Sequence, residues 1–137
     1  MNIAIRYYSR GGNTKKLADA VAQAVHVEAK PVSEPLEDDA DILFLCNSVY
    51  WAGVDGKVKS FIKDNGSKIK NIVNVSTAAI IKSTYKQIKS FAAKNGIPVD
   101  EREFHCRGSF AGIHKGKPDD IDCAAVADFA RQIISGE

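Results

Sequence analysis

The sequence predicts an α/β protein: an open, doubly wound sheet of five parallel strands in the order 2-1-3-4-5, sandwiched as the middle of three layers. Three observations carry that prediction. Runs such as "DILFLC" and "NIVNVS" are short and largely apolar, as strands covered on both faces are. They alternate with segments whose apolar residues recur at helical spacing. The seams between them are marked by Gly, Pro, Ser and Asn.

The first strand is "NIAIRYY", closed by Ser9-Arg10-Gly11-Gly12. A helix follows, with Leu17, Val21, Ala24 and Val25 on one face and Lys15, Lys16, Asp19 and Gln23 supplying polar positions. A weaker strand is expected over 27–32, and the acidic, proline-containing stretch 33–40 reads as a loop or a single turn. "DILFLC" is the third strand, followed by Val54, Val58, Phe61 and Ile62; "NIVNVS" is the fourth, followed by Tyr85, Ile88, Phe91 and Ala92. Gly66 and Gly96 stand where helix C-caps are expected. A fifth strand lies within 97–106, with Pro98 implying an irregular or edge start. Pro118 opens a last helix whose apolar face is Ile121, Ala125, Phe129 and Ile133.

With 137 residues and no internal repeat, low-complexity tract or linker, one domain spanning 1–137 is expected. Hydrophobic residues at 45% and charged residues at 26% are near the globular average. The longest apolar runs are far too short to span a bilayer, and the N-terminus has no signal-peptide pattern, so a cytoplasmic protein without membrane contact is expected. Three widely spaced cysteines, Cys46, Cys106 and Cys123, argue against a disulfide framework or a zinc site and read as free thiols. Neither they nor the three histidines have metal-ligand spacing, so no metal is expected. The 19 basic and 17 acidic residues are scattered along the chain without an arm for nucleic acid, leaving a net charge of +2.

In a sheet of this order ligands bind beyond the carboxyl ends of the strands, at the reversal between the first and third. The segments to inspect are therefore 9–14, 47–53, 76–81 and 106–110. In "SRGGNT" the glycines let backbone approach an anion, the helix start offers unpaired amides, and Ser9 and Thr14 add hydroxyls. It matches neither the P-loop nor G-x-G-x-x-G. A tight turn with Ser9 or Asn13 merely capping the helix explains the same residues equally well.

"SRGGNTKKLADAVA" resembles the phosphate loop of the flavodoxins, in particular the short-chain flavodoxin-like proteins, at Ser9, Gly12 and Thr14. It departs from that loop at Gly11, where the family usually has a hydroxyl residue, and at Arg10, where a cation is unusual. The resemblance extends through "ADILFLCNSVYWAGVDGKVKSFI" and "NIVNVSTAAI", and implies a flavodoxin-like fold with flavin mononucleotide (FMN) as cofactor. On that reading Ser9, Arg10, Gly11, Gly12, Asn13 and Thr14 hold the phosphate. Asn47, Ser48, Tyr50, Trp51, Ala52 and Gly53 line the ring, with Tyr50 and Trp51 as one flat wall and Ala52-Gly53 as the site of a backbone turn. Ser76, Thr77, Ala78 and Ala79 meet the pyrimidine edge through backbone groups. The alanines and isoleucines of "STAAII" leave the second ring face aliphatic or open. Arg107 would lie on the same edge, against the ring or an acidic partner.

The function so implied is a monomeric electron carrier that shuttles between a reductase and an acceptor protein and needs no catalytic residue of its own. Two alternatives stay open: an FMN-dependent NAD(P)H:quinone-type oxidoreductase, and a protein of this fold that has lost FMN. A receiver-like signalling domain is disfavoured, because its acidic positions are held here by Tyr8-Ser9 and Asn47-Ser48.

Overall fold

The computed structural model describes residues 1–49, 53–110 and 112–136. In chain order the elements are β1 (Ile3–Tyr7), α1 (Asn13–Val25), β2 (Ala29–Pro31), β3 (Ile42–Val49) and α2 (Gly56–Asn65), which runs into a 3-10 turn (Gly66–Lys68). Then come β4 (Ile72–Ala78), α3 (Tyr85–Lys94), β5 (Phe104–Arg107) and α4 (Asp120–Ser135). The five strands are parallel and lie in the order β2-β1-β3-β4-β5, the order read from the sequence.

Strand register sorts the apolar residues into two cores. Ile5 lies opposite Phe44, and Phe44 opposite Val73. These pack with Leu17 and Val21 of α1 and with Val126 and Ala130 of α4. The alternate residues Leu43, Leu45 and Ile72 point the other way, into Val58, Phe61 and Ile62 of α2 and Ile88 and Ala92 of α3. Every residue of β3 and β4 is buried, as strands covered on both faces must be. Each fully buried Leu, Ile or Phe contributes about 1.5–3 kcal/mol.

Several boundaries differ from the sequence expectation. β3 continues through Asn47-Ser48-Val49 and β4 through Thr77-Ala78, because the ladder goes on pairing Asn47 with Ser76 and Val49 with Ala78. Polar side chains there hid strand from a reading based on hydrophobicity. β2 is confined to three residues. β5 starts only at Phe104, with Val99 bridging Ile72 on its own. Gly66 closes α2 in right-handed geometry and leads into the 3-10 turn, whereas Gly96 takes φ +71 after α3. Pro118 lies before the N-cap Asp119, so α4 opens at Asp120. The face of α4 is also rotated: Ile121 is 77% exposed and Ala125 is exposed, while Val126, Ala130 and Ile133 are buried.

The stretch 33–40 is a loop with turns, fixed by the buried Arg6. Its guanidinium donates to the carbonyls of Glu34 (2.9 Å) and Pro35 (3.1 Å). No described helix is long and apolar enough to cross a membrane.

Candidate functional site

The loop from β1 into α1 is shaped by one glycine. Gly12 takes φ +91 at the N-cap, a conformation costly for residues with a Cβ, and its amide donates to Ser9 Oγ at 2.9 Å. A Cβ built on Gly11 or Gly12 meets nothing within 4 Å, so the bend faces open space. The backbone amides of Gly11, Asn13 and Thr14 have no partner among the described residues. Unpaired amides at the start of a 13-residue helix, beside a glycine bend, are groups an anion can accept from. The cap is thus Gly12, where the capping reading had named Ser9 or Asn13; Asn13 is the first helical residue.

Three loops meet at this point. Thr14 and Thr77 are fully buried and share a hydrogen bond at 3.1 Å, joining the loop after β1 to the end of β4. Asn13 Nδ2 donates to Ser109 O at 3.0 Å, joining it to the loop after β5. Gly108 makes that approach possible, since a Cβ there would stand 3.2 Å from Thr77 Cβ and 3.3 Å from Asn13 Nδ2.

The segment 53–55, which leads into α2, is pinned from both sides. Arg10 reaches across to Asp55, the N-cap of α2, at 3.0 Å. Asp55 also accepts from the Lys57 amide at 2.8 Å, and that bond, with Arg10 next, holds its carboxyl below the ordinary range. Tyr8 first and Asp55 second push the Arg10 guanidinium pKa further up. Gly53 has φ +85, and the next amide, of Val54, donates to Gln87 Oε1 of α3 at 2.9 Å. Tyr50, Trp51 and Ala52, expected to line the ring, lie outside the described residues.

Asn47 and Ser76 carry their side chains toward α3. Asn47 Nδ2 donates to Asn74 Oδ1 (2.7 Å), Asn74 Nδ2 to Thr84 Oγ1 (3.0 Å), and Thr84 Oγ1 to Asn47 Oδ1 (2.6 Å), a closed ring of three fully buried side chains. Ser76 Oγ accepts from the Thr84 amide at 3.4 Å. Ser48, Ala78 and Ala79 are buried too. Arg107 is turned to its own chain: Nη1 donates to Ile81 O (2.8 Å) and Ala79 O (3.3 Å), and His114 Nε2 lies 3.1 Å from Ala79 O.

The sequence reading did not single out Asn74, Thr84 or Gln87, and it placed Gly108 and Ser109 in a segment to inspect, 106–110, without a role for either. A signal existed for Asn74, a lone amide between two valines of a buried strand, and for Asp55, which precedes a helix as N-caps do. Nothing in the sequence pairs Gln87 with Val54 or Asn13 with Ser109.

Nucleophilic chemistry finds no support here. Burial raises the Cys46 thiol pKa, and the Cys106 thiol is pushed up to about 12 by burial with Asp122 adding to it, so both stay protonated at neutral pH. No three His, Cys, Asp or Glu side chains among the described residues could hold a metal ion.

No protein-family model and no curated protein matches the sequence. Solved structures do match its fold. A flavodoxin from the domain Archaea superposes with a TM-score of 0.76 at 14% identity, covering 99% of this chain and 98% of that one. Oxidised flavodoxin 2 from Bacillus cereus gives 0.69 at 14% identity, covering both chains completely. Rubredoxin oxygen:oxidoreductase from Desulfovibrio gigas gives 0.74 at 14% identity, matching 98% of this chain and 35% of that longer one. The chain therefore has the flavodoxin fold, and its glycine bend follows β1, one of the two strands between which the order reverses.

Proposed function

We propose that the chain binds FMN and carries electrons between a reductase and an acceptor protein. The observation that carries this reading is the bend at Gly11-Gly12, open to solvent and backed by three unpaired amides at the head of α1. An anionic phosphate tail suits it, since backbone amides need no cation to bind phosphate. With Gly at position 11 the loop has one hydroxyl donor fewer, and the amide there remains to bind phosphate. Arg10 is held by Asp55 and so braces the loop, leaving the seat neutral.

FMN when bound supplies the electron uptake and release; the protein's part is to seat and orient it. Ser9 Oγ accepts from Gly12 and keeps its own proton for the phosphate. Asn47 and Ser76 have their side chains in bonds to α3, so their share of ring recognition falls to backbone groups. Exposed Ile80 and Ile81 support an aliphatic boundary beside the ring site.

The test is a calorimetric titration of the folded protein with FMN, together with its visible spectrum. Saturable one-to-one binding is expected, weakened at least about tenfold in Gly12→Ala, whose φ of +91 disfavours a side chain. Absence of heat with the fold intact by circular dichroism would sink the reading. A carrier should also oxidise almost no NAD(P)H in steady state without a reductase; rapid oxidation favours the catalytic alternative.

A further inference from the structure

Charge that looks scattered along the sequence is segregated by the fold. Residues 79–99 contain Lys82, Lys86, Lys89 and Lys94 and no acid, and residues 104–118 contain Arg107, Lys115 and Lys117 and no acid; between them 100–103 hold Asp100, Glu101 and Glu103 with Arg102. Residues 28–41, by contrast, hold six acids and one lysine. Because β2 and β5 are opposite edges of the sheet, the cations of 79–99 and 104–118 gather around α3 and β5, whereas the acidic stretch lies toward the β2 edge, where Lys68 and Lys70 reach it through Glu37 O and Asp41.

On the basic side, apolar surface is exposed. Ile80 is 55% exposed, Ile81 40% and Ile113 43%. These residues sit on two loops joined through one carbonyl, Ala79 O, which receives Arg107 and faces His114. The second loop is itself ordered: Phe110 and Ile113 exchange backbone bonds at 3.0 and 2.8 Å, and the Ser109 amide donates to Lys117 O at 2.9 Å. Beside them, along the open edge of β5, runs a groove of about 490 Å³ lined by Lys82, His105, Arg107, Lys117 and Asp122. Lys117 is paired with Asp119 and Asp122, and Glu103 accepts from Ser83 nearby, so the charge with no carboxylate partner among the described residues is that of Lys82, Arg107 and Lys115. An apolar centre with a cationic border is the makeup of a protein docking site, where charge steers encounter and apolar contact holds the complex.

We propose that this face, formed by residues 79–84, 108–110, 112–117 and the edge of β5, docks an acidic protein. Carboxylates of the partner enter the groove, and an apolar spot on it meets the isoleucines. The surface stands on charge and exposure alone; its use for electron exchange rests on the FMN reading above.

The test uses the apo protein, so that it does not depend on FMN. The ¹⁵N-labelled chain is titrated with a small acidic iron–sulfur protein, a plant-type ferredoxin, and in parallel with basic cytochrome c and with phosphatidylserine vesicles. Amide shifts with ferredoxin are expected within 79–86 and 104–117, fading as salt shortens the Debye length from about 10 Å at 0.1 M to about 3 Å at 1 M. Lys82 and Lys115 make no ion pair among the described residues, so the double variant Lys82→Glu/Lys115→Glu should fold normally and bind at least about tenfold more weakly. Ile81→Ser should weaken binding without changing its salt dependence. Lys59→Glu/Lys63→Glu, on α2, should stay within about twofold. The proposal is overturned by ferredoxin shifts that are absent or lie elsewhere, by equal losses in the α2 variant, by cytochrome c binding the same face, or by vesicles binding it while ferredoxin does not.

Discussion

A single amide in β4 shows how tightly the site's support is built. Asn74 is fully buried between Val73 and Val75, and its side chain donates to Thr84 and accepts from Asn47. Truncating it leaves Thr84 and Asn47 each short of one bond where water cannot replace it, at about 1–3 kcal/mol for the loss. Asn74→Ala should therefore lower the free energy of urea unfolding by about 2–3 kcal/mol, with a midpoint shift and little change in slope. Lys59→Ala on the surface should move it by less than about 0.5 kcal/mol. Gly53 makes a different demand, on backbone conformation. At φ +85 a Cβ is strained, and it would stand 3.3 Å from the Gln87 oxygen that receives the Val54 amide. Gly53→Ala should cost about 1–2 kcal/mol in the same assay, and an unchanged midpoint would show that the loop is not held in this geometry.

At the scale of elements, α4 depends on its first turn. Asp119 accepts from the Asp122 amide and Asp122 from the Asp119 amide, each at 3.0 Å, a reciprocal cap reinforced by Lys117 at 2.8 Å. Lys117, followed by the Asp122 amide, depresses the Asp119 pKa to about 2 from its ordinary 3.8. A carboxyl whose folded pKa lies below its unfolded one stabilises fully above about pH 4, and that stabilisation disappears as pH falls through about 2. Asp119→Asn keeps a capping oxygen but has no charge to lose. The stability gap between it and the native protein should be open at pH 5 and closed near pH 2 by denaturant unfolding; a gap independent of pH would mean the charge contributes nothing. Elements also mark how far the sequence could be read. For α1, the residues the periodicity names, Leu17, Val21, Ala24 and Val25, are all buried, joined by Thr14 and Ala18, because that helix has one apolar stripe. α4 has two adjoining stripes, and periodicity cannot choose between them; packing against the small residues of α1 selects Val126 and Ala130 and leaves Ile121 outside. The glycine bend was legible because φ requirements are local. The ring of Asn47, Asn74 and Thr84 was not, because it joins residues up to 37 apart that only the β3–β4 register brings together.

For the molecule as a whole, the uneven charge bears on the proposed cofactor. If FMN binds at the carboxyl ends of the strands as proposed, the negative charge of its full reduction would fall near the loops that carry Lys82, Arg107 and Lys115. An acidic protein of this fold opposes that step. Here the net charge is +2 and the stretches beside the site are basic, so the second potential should lie above that of strongly acidic flavodoxins. A unit charge at about 10 Å in a water-like dielectric is worth about 0.4 kcal/mol, on the order of 20 mV per electron. Changing Lys82 and Lys115 to Glu alters the local charge by four units, so the second potential should fall by several tens of mV, on the order of 80 mV at low salt. The first should move less if that step takes up a proton and adds no net charge. In about 1 M salt most of the shift should vanish, since the screening length drops to about 3 Å. Redox titration of both proteins at two ionic strengths reads this directly. Equal second potentials at low salt would mean that these lysines do not act on the cofactor, and would separate the docking face from the electron's site.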